Sequence, residues 1–185
     1  SAQEGKIVSL VCSGDAGIYG MASPVLSLAA EYPEVTIRII PGVTAAASGA
    51  AVLGAPLTHD FAVISLSDRL TPWEKIEKRL KAAAEADFAI SLYNPSSTKR
   101  ADYLQKACDV LLESLPADRV CGLVRNIGRG EESHRILTLG ELRNTPVDMF
   151  TTVWIGNSQT RKLGDHMVTP RGYAAAQTAP PAGGI

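Results

Sequence analysis

The stretch Ser13-Gly14-Asp15-Ala16-Gly17-Ile18-Tyr19-Gly20-Met21-Ala22 decides how the rest of the chain is interpreted. The apolar run before it, residues 7–12, predicts a β-strand, and the pattern after it predicts a helix over residues 21–31. Its glycines permit a sharp turn or a close approach of backbone to a ligand. Strand, turn and helix in this order indicate an open α/β sheet, which binds ligands at the carboxyl ends of its strands. Asp15 is therefore predicted either to cap the helix or to face a ligand.

The overall composition excludes several classes of protein. The 185 residues carry 18 basic and 19 acidic side chains, so charge does not favour binding to nucleic acid or to an anionic membrane. No apolar run approaches the roughly 20 residues of a membrane span, and the polar start does not resemble a signal peptide. We expect a cytoplasmic protein with reduced thiols and no metal site, because neither the cysteines nor the histidines have ligand spacing. These residues are Cys12, Cys108, Cys121, His59, His134 and His166.

Strands and helices alternate along the chain, which predicts an α/β protein. Further strands are predicted at residues 35–40, 61–66, 88–93, 120–124, 135–139 and 149–155, and further helices at residues 45–54, 100–115 and 140–144. A change of pattern between residues 65 and 72 predicts two domains, 1–66 and 67–172. Residues 173–185 have almost no large apolar side chains, so we expect a disordered tail there.

Two helices carry more specific signals. Thr71 and Glu74 match a capping box, and Pro72 between them suits the first helical position. The helix at residues 45–54 consists almost entirely of alanine, serine and glycine. A helix with so little side-chain volume implies that another group packs very close to its backbone.

The turns that follow the predicted strands share a composition of glycine, proline, threonine and asparagine. Backbone N–H and C=O groups at several such turns suit a small ligand that is partly apolar and partly polar. None of the turns is a Walker A loop or a GxGxxG motif, so phosphate is not the evident target. The turns are Gly14-Asp15, Pro41-Gly42-Val43-Thr44, Leu92-Tyr93-Asn94-Pro95, Arg125-Asn126 and Thr151-Thr152.

In combination, five motifs closely resemble those of the tetrapyrrole (corrin/porphyrin) methyltransferases. In chain order they are SGDAGIYGMA, PGVTAAASGAAVLGAPLTHDF, SLYNPSS, LVRNIGR and MFTTVWIGNS. The resemblance implies two α/β domains, a cleft between them for S-adenosylmethionine, and a homodimer. It also implies an incomplete N-terminal domain, because family members have a strand, a Pro-Gly-x-Asp type loop and further elements before the segment that opens this chain.

The activity implied is S-adenosylmethionine-dependent C-methylation of a corrin precursor in cobalamin biosynthesis, with precorrin-3B methylated at C17 and contracted to precorrin-4. Ring contraction involves proton movement, so a general acid or base can assist; His59 and Asp60 are the first candidates, and His134 and Glu131 the second. The resemblance assigns cofactor binding to Gly14, Asp15, Ile18, Tyr19, Thr44, Ala45, Leu92, Tyr93, Asn126, Thr151 and Thr152. Asn94, Arg125 and Arg129 are assigned to the substrate, whose carboxylates arginine can bind through paired hydrogen bonds.

Other interpretations remain open from the sequence. The chain could act on a different corrin carbon or on diphthamide, or it could be a non-catalytic fragment that keeps only the fold and the dimer contacts. His59 could simply hydrogen-bond its own turn, Tyr19 and Tyr93 could be core residues, and the two arginines could belong to a solvated loop.

Overall fold

The computed structural model describes residues 1–97 and 100–172. The chain forms two compact units, residues 1–47 and a second unit that begins at Ser48. We call these the N-terminal and C-terminal units. The division lies earlier in the chain than the one predicted between residues 65 and 72. The predicted disordered tail, residues 173–185, lies outside the described residues.

The N-terminal unit contains little regular structure. It has a 3-10 turn, Ala2–Glu4, helix α1, Ala22–Ala29, and the first residues of helix α2, Ala45–Leu53. The strands predicted at residues 7–12 and 35–40 do not form in this structure. A strand needs a hydrogen-bonded neighbour, and the apolar side chains here are largely in solvent: Ile7 is 100% and Val11 90% exposed. Both segments therefore keep the composition of buried strands without the pairing.

The C-terminal unit is built on a five-stranded sheet. Its strands are β2, Phe61–Ser65, β3, Ala89–Tyr93, β4, Val120–Arg125, β5, Ser133–Thr138, and β6, Thr151–Ile155. They lie in the order β2-β3-β6-β4-β5, with β2 and β3 parallel and every other pair antiparallel. A smaller sheet contains β1, Gly54–Ala55, β7, Arg161–Leu163, and β8, His166–Val168, none of which the sequence predicted.

One face of the large sheet packs on three helices. These are α3, Trp73–Glu85, α4, Tyr103–Leu112, and α5, Leu139–Arg143. Helix α3 buries Ile76, Leu80, Ala83 and Ala84, which lie on one face of the helix at helical spacing. The larger core lies here and includes the buried thiols of Cys108 and Cys121.

Helix α2 covers the opposite face through a second core of Ala50, Leu53, Val124, Trp154 and Met167. Its small residues allow the close approach that the sequence implied. A Cβ built on Gly49 would lie 2.2 Å from Cη2 of Trp154, so no larger residue fits at that point. Trp154 is fully buried. The helix thus lies with its backbone almost against the indole ring.

The capping box predicted at Thr71 does not form. Helix α3 begins at Trp73 with Pro72 as its N-cap, and no side chain caps it. A proline at the cap already fixes the backbone there, and its ψ of 147° is extended. A complete capping box occurs instead at Thr138 and Glu141, ahead of α5, where both reciprocal hydrogen bonds are present.

Candidate functional site

Two turns of the N-terminal unit lie against each other. A Cβ built on Gly42 would lie 2.2 Å from the carbonyl oxygen of Gly14, and one built on Gly14 would lie 3.4 Å from the carbonyl oxygen of Val43 and 3.6 Å from Cα of Thr44. Gly42 must therefore be glycine for the turns to approach this closely. The structure brings together the two predicted motifs, Gly14-Asp15 and Thr44-Ala45.

The Asp15 carboxylate joins these two turns. Its Oδ1 accepts a hydrogen bond from the backbone N–H of Gly17 at 2.8 Å, and its Oδ2 accepts one from Gly42, also at 2.8 Å. These bonds, with Gly42 first, hold the pKa of the Asp15 carboxyl below its usual value. Asp15 does not cap helix α1, whose N-cap residue is Met21. Its observed role is to hold two candidate cofactor-binding turns in one arrangement.

Ile18 and Tyr19, also assigned to the cofactor, follow directly in the same turn. Tyr19 has a φ of 51°, a left-handed conformation that is uncommon for a bulky residue. Its side chain is 58% exposed, so it is not a core residue of this unit.

In the C-terminal unit, the remaining motifs meet at one edge of the large sheet, which we call the carboxyl edge. Ser65 and Tyr93 end the parallel strands β2 and β3 in register. Arg125, at the end of β4, pairs with Thr151, at the start of β6. Leu92 pairs with Val153 one register step inside the sheet. Strand pairing alone thus places the three motifs around Tyr93, Arg125 and Thr151 side by side.

The backbone turns sharply where these strands end. Asn94 and Asn126 both have a φ of 55°, the left-handed region that asparagine tolerates better than most residues. The Asn94 amide donates to Oγ of Ser65 at 2.9 Å, and the N–H of Asn126 donates to the carbonyl of Phe150 at 3.1 Å. Each turn is therefore tied to a neighbouring strand of the same edge.

The residues around the edge differ in exposure. Leu92 is fully buried, and Thr151 and Thr152 are buried, so any ligand contact by Leu92 has to use its backbone. Arg129 lies in the loop after β4, with its guanidinium carbon 5.9 Å from the centre of the Phe150 ring. Phe150 is 49% exposed, which leaves an aromatic surface beside a cation.

A second carboxylate organises the side chains after β2. The hydroxyl of Tyr103 donates to Asp68 at 2.6 Å, and Arg100 forms an ion pair with the same carboxylate. The Tyr103 bond is the main reason that the pKa of Asp68 is lowered, and the same bond raises the pKa of Tyr103. No sequence motif identifies this group, because Asp68 and Tyr103 are 35 residues apart.

His59 and Asp60 do not reach the carboxyl edge. They immediately precede β2, so they lie at its amino end, and at about 3.3 Å per residue the five residues of the strand separate them from the edge by roughly 16 Å. The second candidates are placed there instead. His134 pairs with Val124, and Glu131 lies in the loop just before β5. Directly opposed residues of antiparallel strands share a face, so His134 and Thr152 project on the same side as Val124.

The described residues contain neither a metal-binding cluster nor a membrane-spanning helix. Within the described residues no group of three or more histidine, cysteine, aspartate or glutamate side chains could hold a metal ion. Across residues 1–97 and 100–172, no helix is both long and apolar enough to span a membrane. Each unit thus presents turns rich in backbone N–H and C=O groups, around Gly14 and Gly42 in the N-terminal unit and along the carboxyl edge in the C-terminal unit.

Comparison with known proteins agrees with these features. The sequence model of a family described as Tetrapyrrole (Corrin/Porphyrin) Methylases matches residues 1–143. A protein of Salmonella typhimurium named probable cobalt-factor III C(17)-methyltransferase is 50% identical over 173 residues, which cover 93% of this chain and 72% of that protein.

Two solved structures extend the comparison. The crystal structure of the methyltransferase CobJ has a TM-score of 0.84 and 39% identity, covering 91% of this chain and 72% of that one. A uroporphyrin-III C-methyl transferase from Thermus thermophilus, solved in complex with S-adenyl homocysteine, has a TM-score of 0.57 and 18% identity, covering 77% of this chain and 62% of that one. The second likeness is one of fold alone.

Proposed function

Because the chain belongs to the tetrapyrrole (corrin/porphyrin) methylases, we propose that it methylates C17 of a corrin precursor in cobalamin biosynthesis, with S-adenosylmethionine as the methyl donor. The family and the α/β fold expected from the motifs are confirmed. The proposal is supported by how the motif turns are arranged within each unit. Gly14-Asp15 meets Gly42-Val43-Thr44, and Tyr93, Arg125 and Thr151 share one sheet edge.

We assign the binding of the cofactor to these turns. Backbone groups around Gly14 and Thr44, with the exposed Tyr19, bind its methionine and ribose parts, and the backbone at Tyr93, Asn126 and Thr152 binds adenine. When bound, S-adenosylmethionine supplies an electrophilic methyl group. The chain's own contribution is to orient the partners and exclude water, since alignment alone lowers such a barrier substantially.

Arg129 and the Asn94 amide suit the carboxylates around the substrate's ring. Both lie in turns that leave the carboxyl edge, and Arg129 is held beside Phe150 by a cation–π contact. An arginine so placed can bind a carboxylate through two hydrogen bonds. The exposed ring of Phe150 offers an apolar surface next to it.

The acid–base function in ring contraction is assigned to His134, because this histidine and not His59 reaches the carboxyl edge. We expect His134→Gln to slow ring contraction at least tenfold without weakening S-adenosylhomocysteine binding, since the side chain moves a proton and does not hold the cofactor. His166→Gln, a histidine of the small sheet, is the matched control. Equal loss in both variants would remove His134 from the reaction.

Two assays test the proposal as a whole. Calorimetry with S-adenosylhomocysteine measures cofactor binding, and transfer of a labelled methyl group from S-adenosylmethionine measures the reaction. Cobalt-factor III and precorrin-3B are offered separately, because the ring with cobalt and the ring without it are alternative substrates. Label on either ring supports the proposal. No binding and no transfer to either corrin contradict it, and label on another corrin carbon or on a diphthamide precursor identifies a different family member.

The homodimer implied by the resemblance stays a prediction, and light scattering of the purified protein tests it. The exposed apolar segments of the N-terminal unit, residues 7–12 and 35–40, carry an aggregation risk in either case.

A further inference from the structure

The turn before β6 is built around a single carboxylate, that of Asp148. Its Oδ1 accepts hydrogen bonds from the backbone N–H of Phe150 at 3.0 Å and from the hydroxyl of Thr151 at 2.9 Å. Its Oδ2 accepts one from Nε of Arg125 at 2.7 Å. One side chain therefore connects the end of β4 with the turn that starts β6.

The two residues between Asp148 and β6 are held mainly by polar contacts. Met149 and Phe150, its apolar residues, are 65% and 49% exposed, so burial contributes little to its conformation. Two backbone bonds accompany the carboxylate: Thr151 N–H donates to the carbonyl of Asp148, and Asn126 N–H donates to that of Phe150. The bonds to Asp148 therefore add to the strand pairing with Arg125 in setting how Thr151 enters the sheet.

The pKa shifts of Asp148 and Arg125 agree with this geometry. Partial burial would by itself raise the pKa of the Asp148 carboxyl, but the hydrogen bonds from Arg125, Thr151 and Phe150 outweigh it and lower that pKa. The bond to Asp148 in turn raises the pKa of Arg125. Asp148 is thus a charged acceptor with three donors, and such bonds are stronger than those between neutral groups.

We propose that Asp148 is a positioning residue for the cofactor: it fixes the backbone of Thr151 and Thr152 at the carboxyl edge, and Arg125 acts on the site through it. This inference rests on the proposed function, which places adenine against that backbone. It gives Arg125, which the sequence assigned to the substrate, a second role through the bond from its Nε to Asp148.

The test compares Asp148→Asn with a matched control on another part of the same unit. Asp109 of helix α4 accepts a hydrogen bond from Nε of Arg143, just as Asp148 accepts one from Arg125, but Asp109→Asn leaves the carboxyl edge untouched. Arg125→Gln removes only one of the three donors and serves as a milder second variant. Both readouts, amide hydrogen exchange and calorimetry with S-adenosylhomocysteine, use the whole chain.

Asp148→Asn keeps one acceptor oxygen but loses the negative charge and the bond from Arg125. We expect it to accelerate exchange at the amides of Phe150 and Thr151 about tenfold and to weaken S-adenosylhomocysteine binding by a similar factor, the size associated with losing a charged acceptor. Arg125→Gln should have a smaller effect of the same kind, and Asp109→Asn should stay within about twofold of the parent in both measurements. A melting temperature lowered equally in Asp148→Asn and Asp109→Asn would accompany this result, because each loses one ion pair.

The outcomes separate the inference from the function on which it rests. Normal cofactor binding by Asp148→Asn, in a parent chain that binds, overturns the positioning role and leaves the proposed function standing. A parent chain that binds no S-adenosylhomocysteine overturns the assignment of the cofactor. The exchange experiment then decides whether Asp148 holds the turn: faster exchange supports that part of the inference, and unchanged exchange overturns it.

Discussion

At the scale of single residues, aspartate carboxylates hold the turns that carry the motifs. Asp15 connects Gly17 with Gly42 in the N-terminal unit, and Asp148 connects Arg125 with Thr151 in the C-terminal unit. The sequence singled out Asp15 because it follows an apolar run inside a glycine-rich turn. Its partner Gly42 lies 27 residues away, and no local pattern encodes such a contact.

Asp15→Asn should loosen both N-terminal turns, because a neutral amide offers one acceptor oxygen where the carboxylate offers two. We expect exchange at the Gly17 and Gly42 amides to become faster and S-adenosylhomocysteine binding to weaken about tenfold. Glu31→Gln, which removes a carboxylate from the same unit, should leave both unchanged. An effect of equal size in the two variants would trace the loss to net charge and not to the turns.

The Asp15 carboxylate also makes the stability of the two N-terminal turns depend on pH. The pKa of Asp15 in the folded chain lies below its usual 3.8, so its stabilising effect is fully present above that value and is lost as the pH falls through the lower, folded value. In the parent, protection of the Gly17 and Gly42 amides relative to intrinsic exchange should therefore persist at pH 5 and disappear in stronger acid. In Asp15→Asn the protection should be low throughout; an acid transition that remained in this variant would come from another group.

At the scale of elements, local signals identified most helices but misplaced a cap. Thr71 and Glu74 fit the capping-box pattern, but α3 starts after Pro72 without them, whereas Thr138 and Glu141 form the real box. The pattern specifies only residue types at a spacing. Whether the hydroxyl reaches the N3 amide depends on the backbone that leads into the helix. At α3, Pro72 is the N-cap residue and its ring fixes the φ angle there.

Replacing Thr138 and Thr71 separately measures how much each threonine contributes to the free energy of unfolding. Thr138→Ala removes the acceptor of the Glu141 N–H and should lower the free energy of unfolding by about 1 kcal/mol. Thr71 makes no cap bond, so the Thr71→Ala variant should unfold at the parent's denaturant midpoint. Chemical denaturation of both variants is the measurement, and a shift at Thr71 as large as that at Thr138 would show that α3 is capped in solution.

Helix α2 shows how a sequence signal can indicate packing before the partner is known. Its small residues implied a close neighbour, and the neighbour is the ring of Trp154. We expect Gly49→Ala to cost about 1–3 kcal/mol of stability by overpacking, since the added Cβ would meet Cη2 at 2.2 Å and the buried indole cannot move away freely.

Gly140→Ala is the control for that substitution, because it adds the same atom to helix α5 at an ordinary 3.4 Å from the nearest atom. It should be neutral or slightly stabilising, as alanine favours helix over glycine. Thermal unfolding of the two variants compares them. Equal stability would mean that α2 can move away from Trp154 at little cost.

At the scale of the whole molecule, the sequence predicted the C-terminal unit better than the N-terminal one. The strands of its large sheet were expected close to where they occur, because most of them are apolar and bounded by turn residues, although β5 begins with the polar residues Ser133, His134 and Arg135. Their order, and therefore the meeting of Tyr93, Arg125 and Thr151 at one edge, depends on pairing between distant segments and could not be obtained from local patterns. The strands β1, β7 and β8 have only two or three residues each, too short for any periodicity to show.

The N-terminal unit differs because its apolar segments have strand composition without strand partners. Residues 7–12 and 35–40 form no ladder bonds, while β3, β4 and β6 are hydrogen-bonded on both sides within the sheet. Amide exchange should report this contrast directly, since protection depends on the free energy needed to break a bond. We expect exchange near the intrinsic rate at residues 7–12 and 36–40 and exchange limited by global unfolding at β6. If residues 7–12 were instead protected as strongly as β6, their backbone would have a strand neighbour in solution, and comparing dilute with concentrated protein would show whether another copy of the chain supplies it.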